Sequence, residues 1–99
     1  MNIRLIVPPP AIEVYGPRIA AITGGFTAFP GTGGWIDGTG KLVKEFVTVF
    51  DCYIPTDGYK EHSLSTGIDQ FRNLARIIAR NLNQHCVYLS FDGKVEYIK

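Results

Sequence analysis

The sequence predicts an α+β domain of the ferredoxin-like, split βαβ kind. One antiparallel sheet carries two helices on one face and ends in a C-terminal β-hairpin. Three observations predict this. Ile3, Leu5 and Val7 alternate with Asn2, Arg4 and Ile6, and a β-branched and aromatic run extends from Leu42 to Ile54. Ile68, Phe71, Leu74, Ala75, Ile78 and Leu82 recur at helical spacing. Asp92–Gly93, between two short apolar runs, is the signal of a type I′ hairpin. At about 100–200 residues per domain, the 99 residues make a single domain, 1–99.

The elements follow in order. Pro8–Pro10 end the first strand, because proline cannot donate to a ladder. Residues 11–23 hold a short helix with Pro17 in its first turn, stopped by Gly24–Gly25. Phe26–Phe29 reads as a strand, Pro30–Gly34 as a break, Trp35–Ile36 as a resumption and Asp37–Gly40 as a turn. Leu42–Ile54 carries apolar groups on both faces and is expected to be central and covered on both sides. Pro55–Gly58 closes it and residues 59–66 form a polar loop. Thr66 caps a helix over Ile68–Asn83, with Asp69 three residues on. Cys86–Phe91 and Lys94–Ile98 are the hairpin strands.

With both helices on one face, the other face of the sheet is left uncovered. Across the Asp92–Gly93 turn, Tyr88 opposes Tyr97 and Ser90 opposes Val95, while Val87, Leu89 and Phe91 point towards the helices. Tyr88 and Tyr97 therefore lie on the open face. An apolar, aromatic sheet face predicts an interface, read as homo-oligomerisation.

Seven of the eleven glycines lie between Gly24 and Gly40. The Gly31–Lys41 segment suits an anion, because glycine lets backbone N–H groups approach it. Gly31, Thr32, Gly33 and Gly34 would cradle the ligand, Trp35 would stack on a ring and Lys41 would add charge. The segment is no Walker A loop, since Gly40–Lys41–Leu42 leads into a strand and not a helix. Gly24, Gly25, Thr27, Gly31, Gly33, Trp35, Gly40, Glu45, Asn83, Gln84 and Val87 together resemble a pattern in small phage and bacterial proteins of unknown function. The resemblance covers roughly residues 18–91. It implies a ferredoxin-like α/β domain and carries no assigned chemistry.

Arg72, Arg76 and Arg80 are spaced by four and line one helix face, with Asp69 placed to pair with Arg72. Arginines so placed suit phosphate or carboxylate. A net charge of +1 argues against a nucleic-acid module. Leu5–Val7 is too short an apolar run for a signal peptide or a membrane span, so a cytoplasmic protein is expected, in the host cytoplasm if phage-encoded. Cys52 and Cys86 read as reduced core cysteines.

His62, His85 and the two cysteines fit no zinc spacing. Glu45 and Asp51 share a strand face but stand about 20 Å apart, too far for a paired-carboxylate site. No metal or cofactor is expected. The leading reading is a non-catalytic, homo-oligomeric protein that binds a small anionic, nucleotide-type ligand, as a phage protein sequestering a host signalling nucleotide would. Trp35 or Tyr53 would stack on the base, and Lys41, Arg72 and Arg76 would hold phosphates, with Arg80 as a further ligand-binding residue of the stripe. Glu45 is expected to pair with Lys44 or an arginine, or else to meet a ligand hydroxyl. The alternatives are a protein-binding inhibitor or adaptor acting on a host enzyme, and a small metal-independent enzyme.

Overall fold

The structure, a computed structural model of the chain, describes residues 1–9, 11–54, 61–84 and 86–99; of residues 11 and 61–64 it describes the backbone alone. The elements run β1 (Asn2–Val7), α1 (Ala11–Thr23), β2 (Thr27–Ile36), β3 (Leu42–Tyr53), α2 (Glu61–Asn81), β4 (Val87–Phe91) and β5 (Lys94–Ile98). The five strands form one antiparallel sheet in the order β2-β3-β1-β4-β5. This is the α+β arrangement that the alternation of elements predicts.

The core forms where the helices cover the sheet. Ile3, Leu5 and Val7 of β1 share a face with Phe50 and Cys52 of β3 and with Val87, Leu89 and Phe91 of β4. Tyr15 and Ile19 of α1 and Phe71, Leu74, Ala75 and Ile78 of α2 pack onto that face. Phe26 meets Phe50 edge to face, with ring centroids 5.1 Å apart. At the hairpin, Asp92 and Gly93 both take positive φ, 49° and 82°, as a type I′ turn requires. The Asp92 carboxylate also accepts from the N–H of Asn2 at 2.7 Å, tying the turn to β1.

Four expectations about elements are corrected. Helix α1 begins at Ala11, so Pro17 lies inside it and not in its first turn. Tyr15 and Ile19 are buried on either side of that proline, and their packing outweighs the lost hydrogen bond. Helix α2 begins at Glu61, so Thr66 is a helical residue and not its cap; the Pro55–Gly58 turn lies outside the described residues. Apolar periodicity marks only the part of a helix that packs, and the first turns of α2 are too polar to register in it. The helix ends in a Schellman motif: Asn83 takes a φ of 52° and the N–H of Gln84 donates to the carbonyl of Ala79 at 2.9 Å.

Strand β2 is continuous through Pro30–Gly34, pairing with β3 from Thr27↔Asp51 to Ile36↔Leu42. It is an edge strand, where proline is tolerated with its donorless nitrogen facing outwards. Gly31 and Gly33 are sheet residues whose missing side chains leave room for Val47; a Cβ at Gly31 would stand 3.3 Å from the Val47 Cγ2. Finally, β1 and not β3 is the middle strand, and only the C-terminal part of β3 is covered. The other part joins β2 in an arm that reaches past the helices. The molecule measures 50 × 25 × 21 Å as a result.

A candidate site in a notch of the open sheet face

The candidate site begins with the prolines. Strand β1 pairs with β3 only as far as Val7↔Thr48, and Pro8 follows. Strand β3 continues past this point without a neighbour on that side, as Val47, Phe46 and Glu45. Strand β4, on the other side of β1, starts at Val87. The early end of β1 leaves a notch between the arm and β4. It is a concavity of about 280 Å³.

Continuous register places the side chains of Trp35, Glu45, Val47, Ile6, Tyr88 and Tyr97 on the open face, and these residues line the notch. Gly33 and Gly34 form part of its wall, with Gln84 and Cys86 at the start of β4. Tyr88 and Tyr97 oppose each other as expected, with rings edge to face at 5.9 Å. Tyr97 remains 65% exposed and Trp35 47% exposed. Among the described residues, Glu45 makes no hydrogen bond or ion pair, so the expected pairing with Lys44 or an arginine is not formed. The notch therefore joins three aromatic rings and one unpaired carboxylate, and among the described residues no lysine or arginine lines it.

The other expected binding residues lie elsewhere. Tyr53 sits at the far end of β3, eight residues from Glu45, or about 26 Å along a strand. Beside it Arg4 pairs with Asp51 at 3.5 Å and lies over the Phe29 ring. Thr32 is on the helix-side face of the arm and Gly31 lies deeper on the open face, against Val47. Lys41 is at the arm tip, where its backbone N–H donates to the Asp37 carboxylate at 3.0 Å. That carboxylate also accepts from the Thr39 hydroxyl and N–H, which holds its pKa below the usual carboxylate value.

Arg72, Arg76 and Arg80 belong to α2, across the sheet from the notch. Arg72 pairs with Asp69 at 3.4 Å, as its spacing predicts, and more closely with Glu96 of β5 through two bonds of 3.0 Å. These contacts, with Glu96 foremost, push its pKa up. Arg76 donates to Asn73 at 3.0 Å. The arginine stripe and the glycine-rich segment thus do not form one site.

Cys52 is buried as expected, but Cys86 is exposed, because it precedes β4 at the notch rim. Burial, with the charge of Asp51 beside it, pushes the Cys52 thiol up to about 11. The readings on His62 and His85 fall outside the described side chains. Among the described residues, no cluster of three metal-ligating groups occurs and no helix is long and apolar enough to cross a membrane. Sequence reasoning missed Ile6, Val47, Gln84 and Cys86 as lining residues. The signal for them is the Pro8–Pro10 stop itself, since it sets where the sheet gapes.

No protein-family model and no curated protein matches the chain. A solved structure does: a phage SAM lyase in complex with S-methyl-5′-thioadenosine, at a TM-score of 0.58 and 16% identity. The match covers 96% of this chain and 83% of that one. At this identity the likeness is one of fold.

Proposed function

We propose that the notch binds an adenosine-type ligand that carries sulfur in place of phosphate, S-adenosylmethionine or its thioether product. The observation that carries this is the lining of the notch among the described residues: three aromatic rings, one unpaired carboxylate and no lysine or arginine. A phosphate would find no counter-charge among the described lining residues. An adenine ring would stack on Trp35 or against the tyrosine pair, and Glu45 would accept from ribose hydroxyls or face a sulfonium. A sulfonium over aromatic faces gains a cation–π attraction. The ligand is thus read as neutral or cationic, and no longer as anionic. The fold shared with a phage SAM lyase bound to such a nucleoside supports the reading.

The protein acts, on this proposal, as a phage product that withdraws a nucleotide-type metabolite from the host cytoplasm. The resemblance of its glycine and tryptophan pattern to small phage and bacterial proteins is compatible with this reading. The notch is open on one side, and a second copy of the chain would enclose the ligand.

A second reading has the ligand cleaved as well as held. Breaking a carbon–sulfur bond of a sulfonium gives the electron pair to sulfur and releases a neutral thioether. The ligand's own carboxylate can attack the carbon that sulfur leaves, so that a C–O bond forms and closes a lactone as the C–S bond breaks, and the aromatic part of the lining favours the loss of charge.

The chain contains one tryptophan, so its fluorescence reports on the notch directly. S-adenosylmethionine and S-methyl-5′-thioadenosine are expected to quench Trp35 and to raise the melting temperature at saturation, whereas ATP does neither. Glu45→Gln should weaken the sulfonium more than the thioether. Stabilisation by ATP without any response to the two sulfur nucleosides would overturn the proposal. Chromatography of the S-adenosylmethionine sample after incubation separates holding from cleavage.

A further inference from the structure

The arm has a second face. In β3, Leu42, Lys44 and Phe46 share the parity of Thr48, Phe50 and Cys52, which are buried under the helices. In β2, Ile36 falls on the same side. The helices do not reach this far, so Phe46 is 79% exposed, Ile36 64% and Leu42 52%. Ile36 and Leu42 thus face each other at the arm tip, and Phe46 lies about 13 Å further along β3 with Lys44 between, all on the face opposite Trp35 and Glu45. Asp37, in the turn beside them, is held ionised by the bonds from Thr39 and Lys41.

The same chain carries a matching surface. A groove of about 350 Å³ runs between α1 and α2. Ala21, Ile22, Leu74 and Ile77 form its apolar floor. Arg18 stands at the rim and, among the described residues, makes no hydrogen bond or ion pair.

We propose that the arm tip of one copy seats in the α1–α2 groove of another, with Phe46, Ile36 and Leu42 on the apolar floor and Asp37 facing Arg18. Knob and groove are different surfaces of one chain, so the contact is head-to-tail: it gives a ring or a reciprocal pair where the rotation between copies closes, and a filament where it does not. A second copy is favoured over a foreign partner because the chain supplies both the apolar shape and the opposite charge. The contact uses the face of the arm that the notch does not, and it does not rest on the nucleoside reading.

Complementation in sedimentation velocity tests it. The wild-type chain is expected to sediment as an oligomer at tens of micromolar. Phe46→Glu spoils the knob and Ala21→Trp fills the groove. Both positions are exposed, so both variants should keep the wild-type circular dichroism. Each variant alone should be a monomer. Mixed, the two should form a heterodimer, since one brings an intact knob and the other an intact groove. A wild-type monomer at 100 µM would overturn the proposal. An Ala21→Trp variant that stays oligomeric would do the same, as it would place the contact on the sheet face or between arms.

Discussion

Strand β3 contains two regions of similar sequence and opposite fate. Phe50 is fully buried beneath the helices, and Phe46, four residues earlier on the same face, is 79% exposed. Both are aromatic residues in an apolar run, and nothing local separates them. What differs is the reach of the neighbouring elements: β1 and the helices cover one part of the strand and stop short of the other. In this protein the covered half supplies stability, and the protruding half leaves large apolar and aromatic side chains exposed on both its faces.

That contrast can be broken by substitution. The largest effect is expected at the covered end. Phe50→Ala should cost about 3–5 kcal/mol, through lost burial and a residual cavity, and should be read from urea midpoints at unchanged slope. A moderate effect is expected from pH. The Cys52 thiol ionises at about 11 in the folded chain and near 9 when exposed. The unfolded chain therefore loses this proton first, and stability should fall as pH rises from about 9 to 11, by about 1–2 kcal/mol after solvent screening. Cys52→Ala should flatten that part of the profile. Retention of the slope in the variant would assign it to other groups.

Arg72→Ala removes the bonds to Glu96 and Asp69 at a half-exposed site. It should cost about 0.5–1 kcal/mol, and less in high salt. Smallest of all, Phe46→Ala should change the stability of a monomer by no more than about 0.5 kcal/mol. A large effect there would mean that the arm is packed within the monomer, and the contrast would fail.

The cysteines sharpen the same comparison chemically. Cys86 at the notch rim should react with iodoacetamide in the native state at a rate close to that of a free thiol. Cys52 should react only after unfolding, since burial and a raised pKa both suppress its thiolate. Protection of Cys86 by a bound nucleoside would also place the ligand in the notch.

The parts of the fold that were legible in the sequence are those where one local rule acts alone. The Asp92–Gly93 turn, the alternation in β1 and the stripe on α2 each follow from a single periodicity or turn preference. The Tyr88–Tyr97 pairing followed by counting outwards from that turn. The failures have a common cause, which is that neighbours in space overrode a local signal. Glycine and proline read as a break over Pro30–Gly34, yet ladder pairing with β3 holds those residues extended. Pro17 read as a helix start, yet the burial of Tyr15 and Ile19 carries the helix across it.

The site was legible in part. Gly33, Gly34, Trp35 and Glu45 do meet in one place. The arginines and Tyr53 do not join them, because face and layer depend on strand order, which no residue spacing encodes. Glu96, the closest partner of Arg72, is 24 positions away in the chain and was out of reach of helix-spacing arguments.

Pro30 has a consequence for how the chain survives its own synthesis. Strand β2 runs for ten residues along the rim of the sheet without one charged side chain. Such a rim invites other nascent chains to add on, and charge is the usual deterrent. Here a single missing hydrogen-bond donor, close to the middle of the strand, interrupts the template. Any added strand can zip only a few residues before it meets a position that cannot hold it. Replacing Pro30 by valine would restore an unbroken template, and the expected phenotype is a loss of soluble yield during expression while the folded monomer keeps its stability.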